Sequence, residues 1–216
     1  MNDRSFSAKR RSARKLKPAL PLEVSAEGAR RRILEVALQL FARHGFHGAS
    51  VRDLTQALEL QPSQLYVHFD SKEALLAELV EVGHRALLSA LQAALEGVGS
   101  DPRARLRAIV GAHAAVHARF PQLAVVVNEE MDALSPSTLA RSSALRDQGI
   151  ALLVDCVMQG IAAGVFAVEN LNATVAAIAA MGLRVPYWFE ATDAASIDAL
   201  AETHATLALR LVGAAP

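Results

Sequence analysis

The sequence is short of cysteine, of aromatic side chains and of long apolar runs. Its 216 residues include one cysteine, and 5% of them are aromatic. A single cysteine excludes an intrachain disulfide, and no apolar run approaches the roughly 20 residues that a membrane-spanning helix needs. The basic N-terminus leads into more polar sequence, which is not the pattern of a signal peptide. We therefore expect a protein of the reducing cytoplasm that does not span a membrane.

Motifs of catalysis are also missing. The serines at 137, 142 and 143 have no nucleophile motif around them, and no glycine-rich phosphate loop occurs. Cys156 is surrounded by apolar residues, which favours a buried structural thiol over a redox sensor. The sequence therefore predicts that the protein is not an enzyme and needs no cofactor.

Charge is distributed unevenly, although the formal net charge is zero. Residues 1–72 contain 13 lysines and arginines against 7 acidic residues, whereas residues 73–216 contain 9 against 15. Every lysine lies in the first of these parts. A basic region can neutralise phosphates and an acidic region is repelled by them, so this asymmetry would orient the molecule on a DNA duplex.

A helix-turn-helix pattern occupies residues 50–69, SVRDLTQALELQPSQLYVHF. Ser50 is a good N-cap, with Asp53 as its capping-box partner, for a helix whose apolar residues recur at spacings of three and four. Pro62 can start a second helix, since a proline at the first helical position loses only an amide without an intrahelical partner. Two helices joined in this way can place the second one in the DNA major groove.

This pattern alone would fit a helical hairpin of any all-α protein equally well, but its flanks extend it. Residues 30–80, RRRILEVALQLFARHGFHGASVRDLTQALELQPSQLYVHFDSKEALLAELV, resemble the N-terminal domain of the TetR family of bacterial transcriptional regulators. The most specific parts are the spacing of Ala37, Phe41 and Gly45 and the run Leu65-Tyr66-x-His68-Phe69-x-Ser71-Lys72-Glu73. The resemblance implies an all-α fold with a three-helix DNA-binding domain and a larger helical ligand-binding and dimerisation domain.

Three positions depart from the family pattern. Thr55 stands where the family has a small residue, Glu59 replaces a glycine in the turn, and Gln61 replaces a serine before the proline. A non-glycine residue in a left-handed conformation is strained, and glutamine is a poorer cap than serine. We expect a slightly altered turn and a distinct operator preference, with DNA binding retained.

The predicted organisation has three parts. Residues 1–24 are interpreted as a disordered basic arm, residues 25–72 as the helix-turn-helix domain and residues 73–216 as the ligand-binding and dimerisation domain. The arm has two prolines and six clustered basic residues: Lys9, Arg10, Arg11, Arg14, Lys15 and Lys17. Both a solvated tail without a role and an arm that adds phosphate or minor-groove contacts remain open.

Prolines, glycines and caps divide the chain into predicted helices. The first helix is expected over about 25–43, and the next two start at Val51 and Pro62. A fourth runs from the cap at 70 or 71 to about 96, and a fifth runs from 101–102 to a break at 120–121. Another runs from 135–136 to Gly164, and the last two cover about 173–190, capped by Asn172, and 194–212. The run LAVVV at 123–127 is interpreted as a buried helix, because helical sequence brackets it. In the family, the last two helices form a four-helix interface between protomers, and a two-fold dimer also suits a palindromic operator.

The resemblance assigns phosphate contacts within the DNA-binding domain. Tyr66, His68 and Lys72 match family positions that commonly touch phosphate. Ser50 can donate to a phosphate near the start of its helix, where free amides also favour an anion. The alternative for Tyr66 is a packing aromatic residue.

Base reading would fall to residues on the exposed faces of the two helices. Arg52 suits guanine, and glutamine suits adenine. The candidates near the start of the second helix are Gln61, Ser63 and Gln64. The alternative for Gln64 is a solvated surface residue.

The C-terminal part resembles a subtype found in regulators of fatty-acid and steroid-ring breakdown, several of which respond to acyl-coenzyme A thioesters. The matching stretches are FPQLAVVVNEEMDALSP, which contains Asn128, then IAAGVF and a late Arg-x-x-x-Trp-Phe. The resemblance implies that Arg184 and Trp188, one helical turn apart on a shared face, meet the coenzyme A part through phosphate binding and adenine stacking. Pro186 would kink or stop that helix. The alternative is that Trp188 anchors the dimer interface while Arg184 is solvated.

His113 and His117 form an H-x-x-x-H pair on one predicted helix face. A zinc protease would have glutamate directly after the first histidine, where this chain has Ala114. Metal binding with Glu129, Glu130 or Asp132 is an alternative to the favoured interpretation, in which the histidines are polar lining of an apolar ligand cavity.

The favoured function is a homodimeric repressor that a small apolar effector, such as an acyl-coenzyme A thioester, releases from a palindromic operator. The alternatives are a metal-responsive regulator or metal-dependent enzyme built on His113 and His117, and a helical adaptor that binds another protein.

Overall fold

The computed structural model describes residues 19–21 and 28–214, and over these ranges all repetitive structure is helical. The prediction of an all-α fold is confirmed. The predicted arm over residues 1–24 lies outside the described residues, except for residues 19–21. The α-helices within the described ranges are α1 (Gly28–His44), α2 (Val51–Leu58), α3 (Pro62–Tyr66), α4 (Lys72–Leu95), α5 (Pro102–Arg119), α6 (Pro121–Glu130), α7 (Pro136–Ala162), α8 (Leu171–Arg184) and α9 (Ala194–Leu211). Short 3-10 turns follow α6 and α8, at Met131–Ala133 and Val185–Tyr187.

Two predicted boundaries of α8 are wrong. The cap is Asn170, whose Oδ1 accepts the amide of Ala173 at 3.0 Å, while Asn172 already lies inside the helix. The helix ends at Arg184 and not near residue 190, because Pro186 has no amide to continue the hydrogen-bond series. The helical interpretation of the LAVVV run is confirmed, since that run lies within α6.

The chain divides into two compact units, and the first contains the helix-turn-helix. It combines the chain up to Ala86 with Phe120–Leu145 and Pro186–Trp188. Its core includes Phe41 and Leu54 from the N-terminal helices, and Val126 of α6 is buried among the same residues. The compact units therefore do not coincide with the functional boundary predicted between residues 72 and 73, which stays a prediction.

Helices α4 and α6 approach closely inside this first unit. A Cβ atom added at Gly83 of α4 would lie 2.6 Å from Cγ2 of Val127 on α6, closer than real side chains come. Glycine at this position therefore permits the observed packing of α6 against α4. Leu123, one turn before Val127 on α6, also lies close to Gly83.

Two carboxylates tie the segment after residue 120 to the helix-turn-helix and α4. Glu130, at the end of α6, accepts the amide of Phe46 at 3.0 Å in the loop before α2. Glu73, at the start of α4, accepts the amide of Ser135 at 2.8 Å. Hydrogen bonds from the Ser135 amide and hydroxyl lower the pKa of Glu73.

The second compact unit comprises Leu87–Arg119, Arg146–Val185 and the chain from Phe189 onward. Leu106, Ile109 and Ile178 are among its most buried side chains. Cys156 lies in this core with 1% of its surface exposed, and burial raises the pKa of its thiol, as a structural cysteine requires. No helix in the described ranges is both long enough and apolar enough to cross a membrane.

Candidate DNA-binding surface and ligand-site residues

Helix α2 begins with the capping box that its sequence predicts. The Ser50 hydroxyl accepts the Asp53 amide at 3.1 Å, and Asp53 Oδ2 accepts the Ser50 amide at 2.8 Å. The Ser50 hydroxyl also donates to Asp53 Oδ2 at 2.7 Å, and these bonds lower the pKa of that carboxyl. If the Ser50 hydroxyl donated to a DNA phosphate, it would therefore have to give up its hydrogen bond to Asp53.

The turn between α2 and α3 is built on a left-handed glutamate. Glu59 has φ 57° and ψ 40°, and it is the one non-glycine residue with positive φ in the described part of the chain. The Glu59 amide donates to Gln56, and the Leu60 amide donates to the Thr55 carbonyl at 3.0 Å. The turn thus keeps a left-handed geometry that normally favours glycine, and it carries local strain.

Helix α3 presents the predicted base-reading residues to solvent. Gln61, Ser63 and Gln64 are exposed, as is Arg52 on α2, while Leu65 is buried beneath them. Gln64, the third residue of α3, accepts the amide of the N-cap residue Gln61 through its Oε1 at 2.8 Å, which is the N3 half of a capping box. Bidentate reading of adenine needs both the oxygen and the amide nitrogen of a glutamine, so Gln64 would have to give up this bond to read a base in that way.

Two neighbouring residues at the end of α3 expose large side chains. Tyr66 is 49% exposed, and Val67 is 80% exposed. Val67 was not among the residues predicted to contact DNA, although its position between Tyr66 and His68 in the family motif offered a signal. An exposed apolar side chain here can contact a thymine methyl group in the major groove.

Lys72 makes more contacts within the protein than the sequence suggests. Its Nζ donates to the carbonyls of Phe46 and Ala49, at 2.8 Å each, and lies 4.2 Å from the centroid of the Phe46 ring. An ammonium group has three N–H donors, so these two bonds leave one for a phosphate. Lys72 therefore fixes the loop before α2 in addition to the phosphate role that the resemblance implies.

Three consecutive arginines lie at the start of α1, and two of them have internal partners. Arg30 forms an ion pair with Glu78, donates to the His68 carbonyl and lies 4.1 Å from the centroid of the Phe69 ring. Arg31 pairs with Glu35 at 3.0 Å. Of the three, Arg32 is the exposed one.

A shallow groove of about 360 Å³ lies between the start of α1 and the turn that leads into α3. Its polar lining comes from Arg32, Gln64 and His68. Gly28 and Leu60 are among the remaining lining residues. The groove places the start of α1 beside two of the predicted DNA-contacting residues.

The two histidines predicted to line a ligand cavity belong to a group of three in the second unit. The rings of His113 and His117 meet edge to face, with their centroids 4.5 Å apart. Burial, followed by the charges of His117 and His204, holds the pKa of His113 well below its ordinary value. His204 of α9 was not predicted, because its partners lie about ninety residues earlier in the chain. A Cβ atom added at Gly182 of α8 would lie 2.1 Å from Nδ1 of His113, so this glycine makes room for the ring.

Two of the three acidic residues considered as metal ligands accept hydrogen bonds from other groups. Glu129 accepts the Tyr187 hydroxyl at 2.9 Å, and Glu130 accepts the Phe46 amide. Within residues 19–21 and 28–214, no three histidine, cysteine, aspartate or glutamate side chains are arranged so that they could hold a metal ion together. The geometry therefore gives no support to the metal-dependent alternatives.

The remaining ligand candidates are exposed. Asn128 lies on the solvent side of α6. Arg184 is exposed at the end of α8, and Trp188 is 47% exposed just after the 3-10 turn. The predicted helical-turn relation between these last two residues is wrong, because Pro186 stops the helix between them.

The fold and its exposed reading helix define a helix-turn-helix regulator with a second helical region. Residues 33–79 match the family described as bacterial regulatory proteins of the tetR family, and residues 99–212 match the tetracyclin repressor-like C-terminal domain. The second match alone covers more than half of the sequence. The chain belongs to the TetR family.

The chain matches the relatives identified by sequence over only part of their length. The chain is 32% identical to the transcriptional regulator UidR of Escherichia coli K12 over 77 residues, which are 36% of this chain and 39% of that protein. It is 33% identical to the transcriptional repressor KstR2 of Rhodococcus jostii RHA1 over 103 residues, which are 47% of this chain and 50% of that protein.

Solved structures match over nearly the whole fold. A tetR-family regulatory protein from Rhodococcus RHA1 has a TM-score of 0.80 at 29% identity, over 88% of this chain and all of that chain. The regulator AibR, in complex with isovaleryl coenzyme A and operator DNA, has a TM-score of 0.74 at 20% identity, over 86% of this chain and 99% of that chain. The second likeness concerns the fold alone.

Proposed function

We propose that this protein is a transcriptional repressor that binds operator DNA through α3. The observation that supports this proposal is that α3 has one buried side and one exposed side. Leu65 is buried, whereas the predicted base-reading residues and Tyr66 face solvent next to a capped α2. This is the arrangement that places a recognition helix in the major groove while the preceding helix crosses the backbone.

The proposed active species is a homodimer in the cytoplasm. Two recognition helices about 34 to 36 Å apart would read the two halves of a palindromic operator. Apolar side chains on the last two helices support this proposal: Leu183 of α8 and Leu207 and Leu211 of α9 are all more than a third exposed. Such side chains are suited to packing against the same helices of a second copy.

The proposed effector is a small apolar ligand of the acyl-coenzyme A class. Support comes from the sequence resemblance and from an exposed guanidinium and indole at Arg184 and Trp188, which suit phosphate and adenine. His113 and His117 stay candidates for polar contacts with the ligand.

Consecutive glutamates of α6 offer a route from the neighbourhood of Trp188 to the helix-turn-helix. Tyr187 lies between Pro186 and Trp188 and donates to Glu129 at 2.9 Å. The next residue, Glu130, accepts the Phe46 amide in the loop before α2. A ligand that displaced Tyr187 would bias α6 and, through it, the position of the DNA-binding helices.

DNA binding is tested first with the purified protein and its own upstream DNA at two salt concentrations. Binding that weakens with salt and prefers one sequence supports the proposal. Tyr66→Phe should weaken binding to all sequences alike, because it removes a phosphate contact. Gln64→Glu keeps an acceptor for the Gln61 amide and should shift preference at one position from adenine towards cytosine. A change of base preference in Tyr66→Phe, or unaltered preference in Gln64→Glu, would contradict these assignments.

The effector is tested by adding acyl-coenzyme A thioesters, free coenzyme A and the matching fatty acids to the DNA complex. Release by thioesters alone, weakened in Arg184→Ala, would support the proposed class. Release by the fatty acids at equal concentration would place recognition in the acyl part alone. DNA binding without any response would leave the repressor in place and remove the thioester proposal.

A further inference from the structure

Three arginines alternate along the first turns of α5, and their environments differ. Arg107 forms an ion pair with Glu202 of α9. Arg103 and Arg105 form no ion pair with any described residue. The Nε atom of each is buried and has no hydrogen-bond acceptor among the described residues. Because residues two positions apart on a helix do not face each other, these two guanidinium groups occupy separate environments.

The surroundings of Arg105 are apolar or neutral. Its guanidinium lies beside Cys156 of α7, where a hydrogen bond to the thiol opposes the rise in pKa that burial of this cysteine causes. Cys156 is 1% exposed and belongs to the core of the second unit. The thiol therefore stays protonated at neutral pH, and its sulfur is only a weak acceptor. Arg105 is thus half-buried against a group that does not balance its charge.

The carboxylates nearest in sequence to this contact do not supply the missing charge. Asp101 accepts the amides of Arg103 and Ala104 at 3.2 Å each, and so it caps the start of α5. Asp155 of α7 is exposed, and it forms no ion pair with Arg105. The positive charge of Arg105 therefore has no opposite charge paired with it in the part of the chain that the structure describes.

A half-buried guanidinium without a counter-charge is unfavourable. Arginine stays charged at every physiological pH, and its five N–H donors lie in one plane. Buried charges in folded proteins are normally paired, because the loss of hydration is costly. The group that matches a guanidinium best offers two oxygens side by side, as a carboxylate or a phosphate does. A small anion is favoured over a nucleic acid, since residues 73–216 contain 15 acidic residues against 9 basic ones.

We propose that Arg105 binds a small anion through carboxylate or phosphate oxygens, beside Cys156 where α5 meets α7. The site is distinct from the residues assigned above to DNA and to the effector. The inference does not depend on the proposed repressor function, because the anion is bound without DNA. A bound anion stabilises the folded chain by mass action.

The test follows thermal unfolding of the full chain as inorganic phosphate is added. Chloride keeps the ionic strength constant, and acetate is added in a parallel series. We expect a saturable rise in the unfolding midpoint of at least about 2 °C once the anion exceeds its dissociation constant about tenfold. A rise with phosphate alone would assign a phosphate ligand, and a rise with acetate would assign a carboxylate. No saturable rise with either anion would overturn the site.

Arg105→Met tests the residue itself, since it keeps the apolar stem and removes the charge. This variant should lose the saturable response. Without phosphate it should unfold at the same or a higher temperature than the original protein, because an uncompensated charge has been removed. A purely structural role for Arg105 predicts the opposite on both counts, namely a lower midpoint and a response to phosphate that is retained.

Arg107→Met is the matched control on the same helix, since that arginine already has a carboxylate partner. It should keep the full response to phosphate. Phosphate at high concentration stabilises most proteins, and the non-saturable rise in Arg105→Met measures that general effect. A saturable response that is lost in Arg103→Met or Arg184→Ala, and kept in Arg105→Met, would place the anion elsewhere and overturn the assignment.

Discussion

The strain at Glu59 is the clearest feature at the scale of single residues. A left-handed conformation costs a residue with a Cβ atom about 1 to 2 kcal/mol. Glycine removes this cost but loses about 0.5 to 1 kcal/mol through its more flexible unfolded state. We therefore expect Glu59→Gly to raise the free energy of unfolding by roughly 0.5 to 1 kcal/mol, measured by urea denaturation. Glu59→Ala is the control, because it removes the carboxylate and keeps the Cβ atom. An equal gain in Glu59→Ala would show that charge and not backbone strain is responsible.

We expect the partly buried His113 to make the stability of the protein depend on pH. Its pKa is depressed well below 6.5 in the folded protein, so the unfolded chain binds its proton more readily. Burial lowers the pKa of His113 most, followed by the charges of His117 on the same helix and of His204 on α9. Its contribution to stability is complete above the unfolded pKa near 6.5 and is lost as the pH falls below it, by up to about 1.4 kcal/mol per pH unit.

Unfolding free energies measured from about pH 8 to about pH 5 check this expectation. His113→Gln should flatten the acid side of the curve, because it removes the group whose pKa is depressed in the folded protein. An unchanged acid slope in His113→Gln would assign the pH dependence to other groups.

At this scale the sequence predicted local contacts and missed distant ones. The Ser50 and Asp53 capping box could be predicted, because its partners lie three residues apart. The contacts of Lys72 with Phe46 and Ala49 could not, because only the tertiary fold brings residues 23 and 26 positions apart together.

At the scale of elements, α6 is the helix that we propose to connect the region of Tyr187 with the helix-turn-helix. Its sequence predicted a buried helix correctly, but not that the helix packs on the DNA-binding core, because hydrophobic periodicity identifies a buried face without naming its partner. Similarly, Pro186 was recognised as a break, yet α8 was predicted to continue past it. Helix existence could thus be predicted from the sequence, whereas helix docking could not.

The proposed coupling through α6 between the effector and the DNA-binding helices can be tested by removing one hydroxyl group. Tyr187→Phe keeps the ring and removes the hydroxyl that donates to Glu129. A hydrogen bond to a charged group is worth about 1.5 to 3 kcal/mol, so effector-induced release from DNA should weaken by roughly tenfold or more. DNA affinity without effector should stay within about twofold of the original, since the proposed DNA-contacting surface does not include that residue. The measurement is effector titration of the DNA complex.

Glu129→Gln supplies the matched control for this experiment, since its amide oxygen still accepts from the tyrosine. The response should largely survive in this variant. An intact response in Tyr187→Phe would mean that ligand binding reaches the DNA-binding helices by another route.

At the scale of the whole molecule, tight binding to the proposed operator is expected to depend on dimer formation. We expect Leu207→Glu on α9 to convert the proposed dimer into monomers, because it buries an unpaired charge in an apolar interface. The monomer should bind the palindromic operator at least about a hundredfold more weakly, since it lacks the second half-site contact. Sedimentation velocity and operator titration together measure both effects.

Ile150→Glu is the control for assembly, since Ile150 is exposed to a similar degree on α7, outside the proposed interface. If this variant also dissociates the dimer, α7 takes part in assembly. A dimer that survives Leu207→Glu would place the interface elsewhere. Neither the partner surface nor the operator could be predicted from residue patterns alone, because both depend on a second molecule.

The close packing at Gly83 constrains which substitutions this protein can accept during evolution. Any side chain at position 83 must displace Val127, whose branched Cβ leaves it few alternative rotamers. Volume added on α4 must then be given up on α6, 44 positions later in the chain. We therefore expect the two positions to change as a pair during evolution, and a larger residue at position 83 to be harmful unless position 127 becomes smaller as well.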